Sequence, residues 1–173
     1  MKHPRDFSID DTLKDGTRVT IRGVRPDDRQ RLLEAFRMLE RDSIYTRFFG
    51  ARGNPSDAEL DRAVNVDFER EVALVVTTSK PAGDIIIASA RYVTIGERSA
   101  EVAFVVEEDY QGRGIASRLL GHLASIAKDR GIEQFEADVL SQNASMLAVF
   151  KKCGLSARQR RDGSVVHLTL ALT

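Results

Sequence analysis

"EEDYQGRGIASRLL", residues 107–120, sets acids, an aromatic ring, Gly112 and Gly114 directly ahead of the apolar rhythm of a helix. Glycine lowers helix stability by about 1 kcal/mol relative to alanine, so glycines at a helix entrance point to a site that uses the backbone itself. The first helical turn carries N–H groups without intrahelical partners, and the macrodipole leaves partial positive charge there. Without a Cβ in the way, those amides can converge on a phosphate. Gln111, Gly112, Arg113, Gly114, Ile115 and Ala116 make such a cradle, and Arg113 can add a full charge. Behind it Ile115, Leu119, Leu123 and Ala127 recur every four residues, flanked by Leu120, Ala124 and Ile126. This stripe anchors the helix and holds the amides still.

Outward from this run the chain alternates strands and helices. "SAEVAFVV" before it reads as a strand, and Gly131 stops the helix at about Arg130. "QFEADVL" is a strand, "NASMLAVFKKCG" a helix capped by Asn143 and stopped by Gly154, and "SVVHLTLAL" a last strand. Upstream, "EVALVVTTS" and "DIIIASARYVTIG", separated by "KPAG", read as a hairpin. Ser56 and Glu59 fit the capping box of a short helix. Pro26, Asp27, Asp28 and the apolar Leu32, Leu33, Phe36 and Leu39 predict another helix. "TRVTIRGV" is a strand with Val19, Ile21 and Gly23 on one face. The order β-α-α-β-β-β-α-β-α-β predicts an α/β chain (α+β in some schemes), a mixed sheet with helices on its faces. Residues 1–16 are polar and unpatterned and read as a flexible arm; residues 17–173 read as a single domain.

Composition narrows the function. Lys plus Arg and Asp plus Glu are 26 each in 173 residues, so no global field would draw in nucleic acid or an anionic membrane. No window approaches the ~20 apolar residues of a bilayer span, and no apolar signal segment opens the chain. The lone Cys153 excludes an internal disulfide framework and suits a reducing compartment. A cytoplasmic protein is expected.

Two phosphate ligands compete for the cradle. "GRGIAS" nearly matches a dinucleotide fingerprint, with Ser117 at the third glycine position and Glu133 and Glu136 about 20 residues on. A Rossmann turn follows its strand directly, however, whereas here "EEDY" intervenes and the run sits late in the chain. The stretch instead resembles the acetyl-CoA motif of the GNAT N-acetyltransferase superfamily, Gln/Arg-x-x-Gly-x-Gly/Ala, here Gln111-x-x-Gly114-x-Ala116. The resemblance runs from Thr17 to Leu172, and residues 17–173 are identified as a single GNAT-like domain. The second family signature falls on "NASMLAVFKKCGL", where Asn143 matches, Met146 stands at the small-residue position and Leu155 replaces the usual Phe. "DGTRVTIRGVRPDD", "YTRFFG", "VDFEREVALVV" and "AEVAFVVEEDYQGRGIA" look closest to bacterial protein lysine acetyltransferases.

This resemblance implies a largely antiparallel mixed sheet with a splayed central strand pair, and acetyl-CoA (or coenzyme A) as co-substrate without a metal. The pyrophosphate would sit on the loop amides, with Asn143 on the second signature. The pantetheine arm would pair with "EVAFVV" through the backbone of Phe104 and Val106. It further implies an amine acceptor, most plausibly a protein lysine; a second copy of the chain is an optional partner.

Acetyl transfer requires the amine to lose a proton, the oxyanion to be stabilised and the thiolate to leave. A lysine amine titrates at about 10.4, so a carboxylate near the thioester is needed to accept its proton. By resemblance that carboxylate is Glu101, in the family's Ala-Glu pair; a solvated strand-end carboxylate is the plain alternative. Glu107 and Glu108 lie nearer the cofactor loop and read as surface acids or as an attraction for the substrate. A backbone N–H of the splayed strand, Val106 first, suits the oxyanion. Where many family members place a proton-donating tyrosine this chain has Phe150, which cannot donate; Tyr110 is a substitute or a loop anchor. Cys153 reads as a small packed residue, and His3, His122 and His167 lack metal-ligand spacing. Lys151 and Lys152 suit a helix C-terminus or the nucleotide phosphate. Phe48 and Phe49 read as core with a face toward the groove. Asp57, Glu59, Asp61, Asp67 and Glu69 read as a solvated face or a lure for a cationic substrate. The expected function is acetyl-CoA-dependent N-acetyl transfer to a primary amine. A small-molecule amine acetyltransferase and a weakly catalytic CoA-binding sensor are the alternatives.

Overall fold

The computed structural model describes residues 3–38, 56–107, 110 and 112–172. After a single 3-10 turn at Pro4–Asp6, the order is β1 (Ser8–Thr12), β2 (Arg18–Gly23), α1 (Arg29–Met38), α2 (Asp57–Val64), β3 (Glu71–Lys80), β4 (Gly83–Thr94) and β5 (Ser99–Val106). Then come α3 (Ile115–Asp129), β6 (Gln134–Leu140), α4 (Ala144–Lys152), β7 (Ser156–Asp162) and β8 (Val165–Ala171). Eight strands form one open sheet in the order β1-β2-β3-β4-β5-β6-β8-β7. Every neighbouring pair is antiparallel except β5 and β6, which run parallel.

That parallel pair is short. Ser99, Ala100 and Glu101 pair with Gln134, Phe135 and Glu136, and the register ends there. β5 continues to Val106 along β4 while β6 continues to Leu140 along β8. The two strands therefore part beyond Glu101 and Glu136, which is the splayed pair the resemblance implies.

Helices cover both faces. Phe104 meets the ring of Phe150 on α4 edge-on at 5.7 Å, while its neighbour Val105 lines a small cavity together with Leu32 and Ala35 of α1. Successive side chains of a strand point to opposite faces, so α1 and α4 lie on opposite sides of the sheet. Ile115, Leu119, Leu123 and Ala127 of α3 are all buried, as their spacing requires. Each large side chain so buried contributes about 1.5–3 kcal/mol. The Ser56–Glu59 capping box has both of its bonds, and Val19, Ile21 and Gly23 share the buried face of β2.

Two strands depart from the expected order. Residues 8–12, inside the stretch read as a flexible arm, are strand β1 on the edge of the sheet, paired with β2 from Ser8↔Arg22 to Thr12↔Arg18. β7, "SARQRRD", forms the other edge, and all seven residues are exposed. An edge strand with both faces in water has no buried side to impose alternation, so its hydrogen bonds leave no trace in hydropathy. At the entrance to α1, Asp28 is buried. It accepts two bonds from Arg22, both 2.8 Å, and one from the Arg25 N–H at 2.8 Å. Burial pushes its carboxyl up, but Arg22 and the Arg25 amide more than offset this and hold it below the usual range.

Candidate functional site

β5, the glycine loop, α3 and α4 enclose a cleft of about 740 Å³ on the α4 side of the parting. It is lined by Phe104, Val106, Gly112, Gly114, Ile115, Ala116 and Asn143, which are seven of the expected cofactor residues. Gln111 and Glu108 lie outside the described residues, as do Phe48 and Phe49.

The loop owes its shape to left-handed backbone. Gly112 has φ +78 and Gly114, the N-cap of α3, has φ +87, a region that costs other residues roughly 1–2 kcal/mol. A Cβ on Gly114 would come within 2.6 Å of the Arg118 guanidinium, whereas one on Gly112 would meet no protein atom within 4 Å. No side chain caps α3, so its first amides are not claimed by a capping side chain. The residues therefore fit an anionic ligand: glycine-shaped backbone at a positive helix end, with Lys14 and Lys152 on the walls.

Sequence reasoning missed how the amino-terminal segment ties into this loop. The Nε of Arg118 donates to Asp11 of β1 at 2.7 Å, and its other nitrogens reach the carbonyls of Gly114 and Thr12 at 3.2 Å each. The Thr12 N–H, with Arg118 adding to it, holds the Asp11 carboxyl below its ordinary range. Lys14, in the turn after β1, lines the cleft, and its Cε would lie 3.4 Å from a Gly114 Cβ. The polar run "SIDDTLKDG" held no signal of this. Arg113 does not line the cleft; its guanidinium pairs with Asp15 at 2.7 Å and lies 5.0 Å above the Tyr110 ring. Tyr110 itself lines the cleft.

Asn143 caps α4 by accepting from the Met146 N–H at 3.2 Å. Phe150 is buried behind Phe104, and Cys153 is half-buried against the Phe150 carbonyl. Glu107 is not the surface acid it was expected to be. It is only 5% exposed, because its N–H continues the β4–β5 ladder to the Ile87 carbonyl at 2.8 Å. Asp57 and Asp61 are bridged by Arg29 at 2.8 and 2.7 Å.

Glu101 belongs to a different space. Alternation along β5 turns it away from the cleft, into a second cavity of about 390 Å³ on the other face of the sheet. Register carries a polar row across that face: Glu101 beside Glu136, Glu136 beside Thr169, Thr169 beside Arg158. Two residues further along β6, Asp138 stands beside His167, and His167 beside Arg160. The Asp138 carboxylate and Nδ1 of His167 are hydrogen-bonded. Among the described residues no three His, Cys, Asp or Glu side chains gather as a metal site, and no helix is long and apolar enough to cross a membrane.

Residues 38–155 match the acetyltransferase (GNAT) family. Acetyltransferase Pat of Mycolicibacterium smegmatis is 35% identical over 144 residues, which is 82% of this chain but 42% of that protein. The chain thus spans less than half the length of that relative. Acetyltransferase PA5475 of Pseudomonas aeruginosa is 28% identical over 160 residues, covering 91% of this chain and 86% of the relative. Among solved structures, the GNAT domain of S. lividans PAT superposes with a TM-score of 0.83 at 34% identity, covering 95% of this chain and 96% of that one.

Proposed function

The chain belongs to the acetyltransferase (GNAT) family, and from that premise we propose that it transfers the acetyl group of acetyl-CoA directly to the side-chain amine of a protein lysine. The observation that carries this reading is the parting of β5 and β6 between two cavities. The glycine-loop cleft takes the co-substrate on one face, and the cavity holding Glu101 takes the acceptor on the other.

Each group has a task in this reading. The amides around Gly112 and Gly114 receive the pyrophosphate at the positive end of α3. Lys14 and Lys152 supply positive charge at the cleft walls. The edge of β5 at Phe104 and Val106 lies along the pantetheine arm, and the Val106 N–H serves the oxyanion. Glu101, at the closed end of the parting, accepts a proton from the acceptor nitrogen. Thiolate departure needs no donor at Phe150, because a thiol titrating near 8.5 is a tolerable leaving group. The lysine acceptor draws support from the relative named Pat.

The buried ring of Phe150 favours one alternative, a CoA-binding module with weak turnover. A thiol-release assay with acetyl-CoA and lysine peptides, with mass spectrometry locating the acetyl group, separates the two. Peptide-dependent CoA release with the acetyl on a lysine ε-nitrogen is the expected result. Tight acetyl-CoA binding without release across peptides and small amines overturns it.

A further inference from the structure

The Asp138–His167 pair lies in the same cavity as Glu101, two residues along β6 from where β5 and β6 part. Asp138 thus stands on one lip of the parting, with His167 beside it one strand further out on β8, while Glu101 stands at the closed end. We propose that this pair is a second proton acceptor for the amine, with His167 the catalytic residue and Asp138 the group that positions and charges it. The inference rests on the reading that the acceptor enters from this cavity.

Proton counting motivates a second acceptor. The amine arrives as R–NH₃⁺ and leaves as R–NH–CO–CH₃, so two protons leave the nitrogen. One goes before the lone pair attacks the carbonyl carbon. The other goes as the C–N bond is completed and the C–S bond breaks, its electron pair departing on sulfur. One of these protons ends on sulfur as the thiol and the other in solvent. A single carboxylate holds one proton at a time, so two neighbouring acceptors let both steps proceed without waiting for exchange with solvent.

The chemistry of the pair suits that task. A carboxylate accepting from Nδ1–H fixes the tautomer whose lone pair is on Nε2, and balances the imidazolium once that lone pair takes a proton. A free imidazole titrates at about 6.5 against about 4.3 for glutamate, closer to the point where a base works best near neutrality. The charged groups facing His167 are Glu101 from β5, Glu136 and Asp138 from β6, and Arg158 and Arg160 from β7. The acids favour the imidazolium and the arginines oppose it. His167 is partly open to solvent and Asp138 largely buried, with side-chain exposures of 34% and 14%, so the pair can pass its proton outward.

The test is the pH dependence of acetyl transfer to a lysine peptide and to spermidine at saturating acetyl-CoA, using the full chain. His167→Gln should lower turnover about 100-fold and remove an acid limb from the pH profile, with acetyl-CoA affinity unchanged. Asp138→Asn keeps the imidazole, so it should retain the limb but move it to lower pH. That shift can be read even if His167→Gln weakens the fold. Wild-type rate and limb in His167→Gln, or an unmoved limb in Asp138→Asn, overturn the dyad alone. A wild-type chain that acetylates neither acceptor defeats the acceptor reading and the dyad with it.

Discussion

The two cavities on either side of the β5–β6 parting are built by different means. The cleft draws on two local segments, the end of β5 with the glycine loop and the start of α3, and the end of β6 with α4. The opposite cavity is made of residues from four strands, one from β5 and three each from β6, β7 and β8. Amides at a helix end recognise a phosphate whatever the neighbouring side chains are, which suits a co-substrate that never changes. Separate side chains on separate strands can be exchanged one at a time, so the chemistry of this cavity can change without disturbing the sheet. The contrast makes a general demand: changes in the cleft should act on acetyl-CoA binding, and changes in the second cavity on turnover.

The largest expected effect tests the second half of that demand. Glu101→Gln should lower acetyl transfer by about 100- to 10,000-fold, with acetyl-CoA affinity unchanged by calorimetry; full activity would move the base elsewhere. Next comes the cleft. Gly114→Asp places a Cβ against Arg118 in left-handed backbone and sets a carboxylate against phosphate. It should weaken acetyl-CoA binding about 100-fold, the equivalent of about 2.8 kcal/mol. Gly112→Ala meets open space and should cost only the backbone term of about 1–2 kcal/mol. If both glycine variants bind normally, the cleft is not the co-substrate site.

Smaller effects sharpen the boundary. Lys14→Ala should weaken acetyl-CoA binding about fivefold at low salt and less at high salt, as a partly exposed charge would. A salt-independent loss would mean that Lys14 acts through packing instead. The smallest effect concerns the tether between β1 and the loop. Asp11→Asn should cost less than about 1 kcal/mol in urea unfolding near neutral pH, because the pair is solvent-accessible. The folded carboxyl titrates below its ordinary value. Its contribution is therefore complete above the unfolded value of about 3.9 and lost as pH falls through the folded one. Wild type and Asp11→Asn should converge in acid, and a gap that persists at low pH would contradict the ion pair.

Legibility in the sequence followed the same division. The glycine loop, the α3 stripe, the Ser56 capping box and the Asn143 cap were all readable, because each depends on residues within about one or two helical turns of one another. β1 and β7 were not, since strands exposed at a sheet edge lack the alternation that a buried face imposes. Glu107 was misjudged because its burial follows from the β4–β5 ladder running one residue past the strand, not from its own type. His167 looked isolated because its partner Asp138 is 29 residues away in sequence. The alternation of Glu136 and Asp138 along β6 was the available hint of a polar face there.

The order of residues alone determined that a glycine turn opens α3 and that an apolar stripe holds it, because helix ends and helix faces are short-range properties of a chain. Only the folded sheet decided that β5 parts from β6 after Glu101, that Asp11 and Lys14 reach the loop, and that His167 stands beside Asp138. Those pairings are settled by strand order and register, which hydrogen bonds between distant segments choose collectively and no single segment encodes.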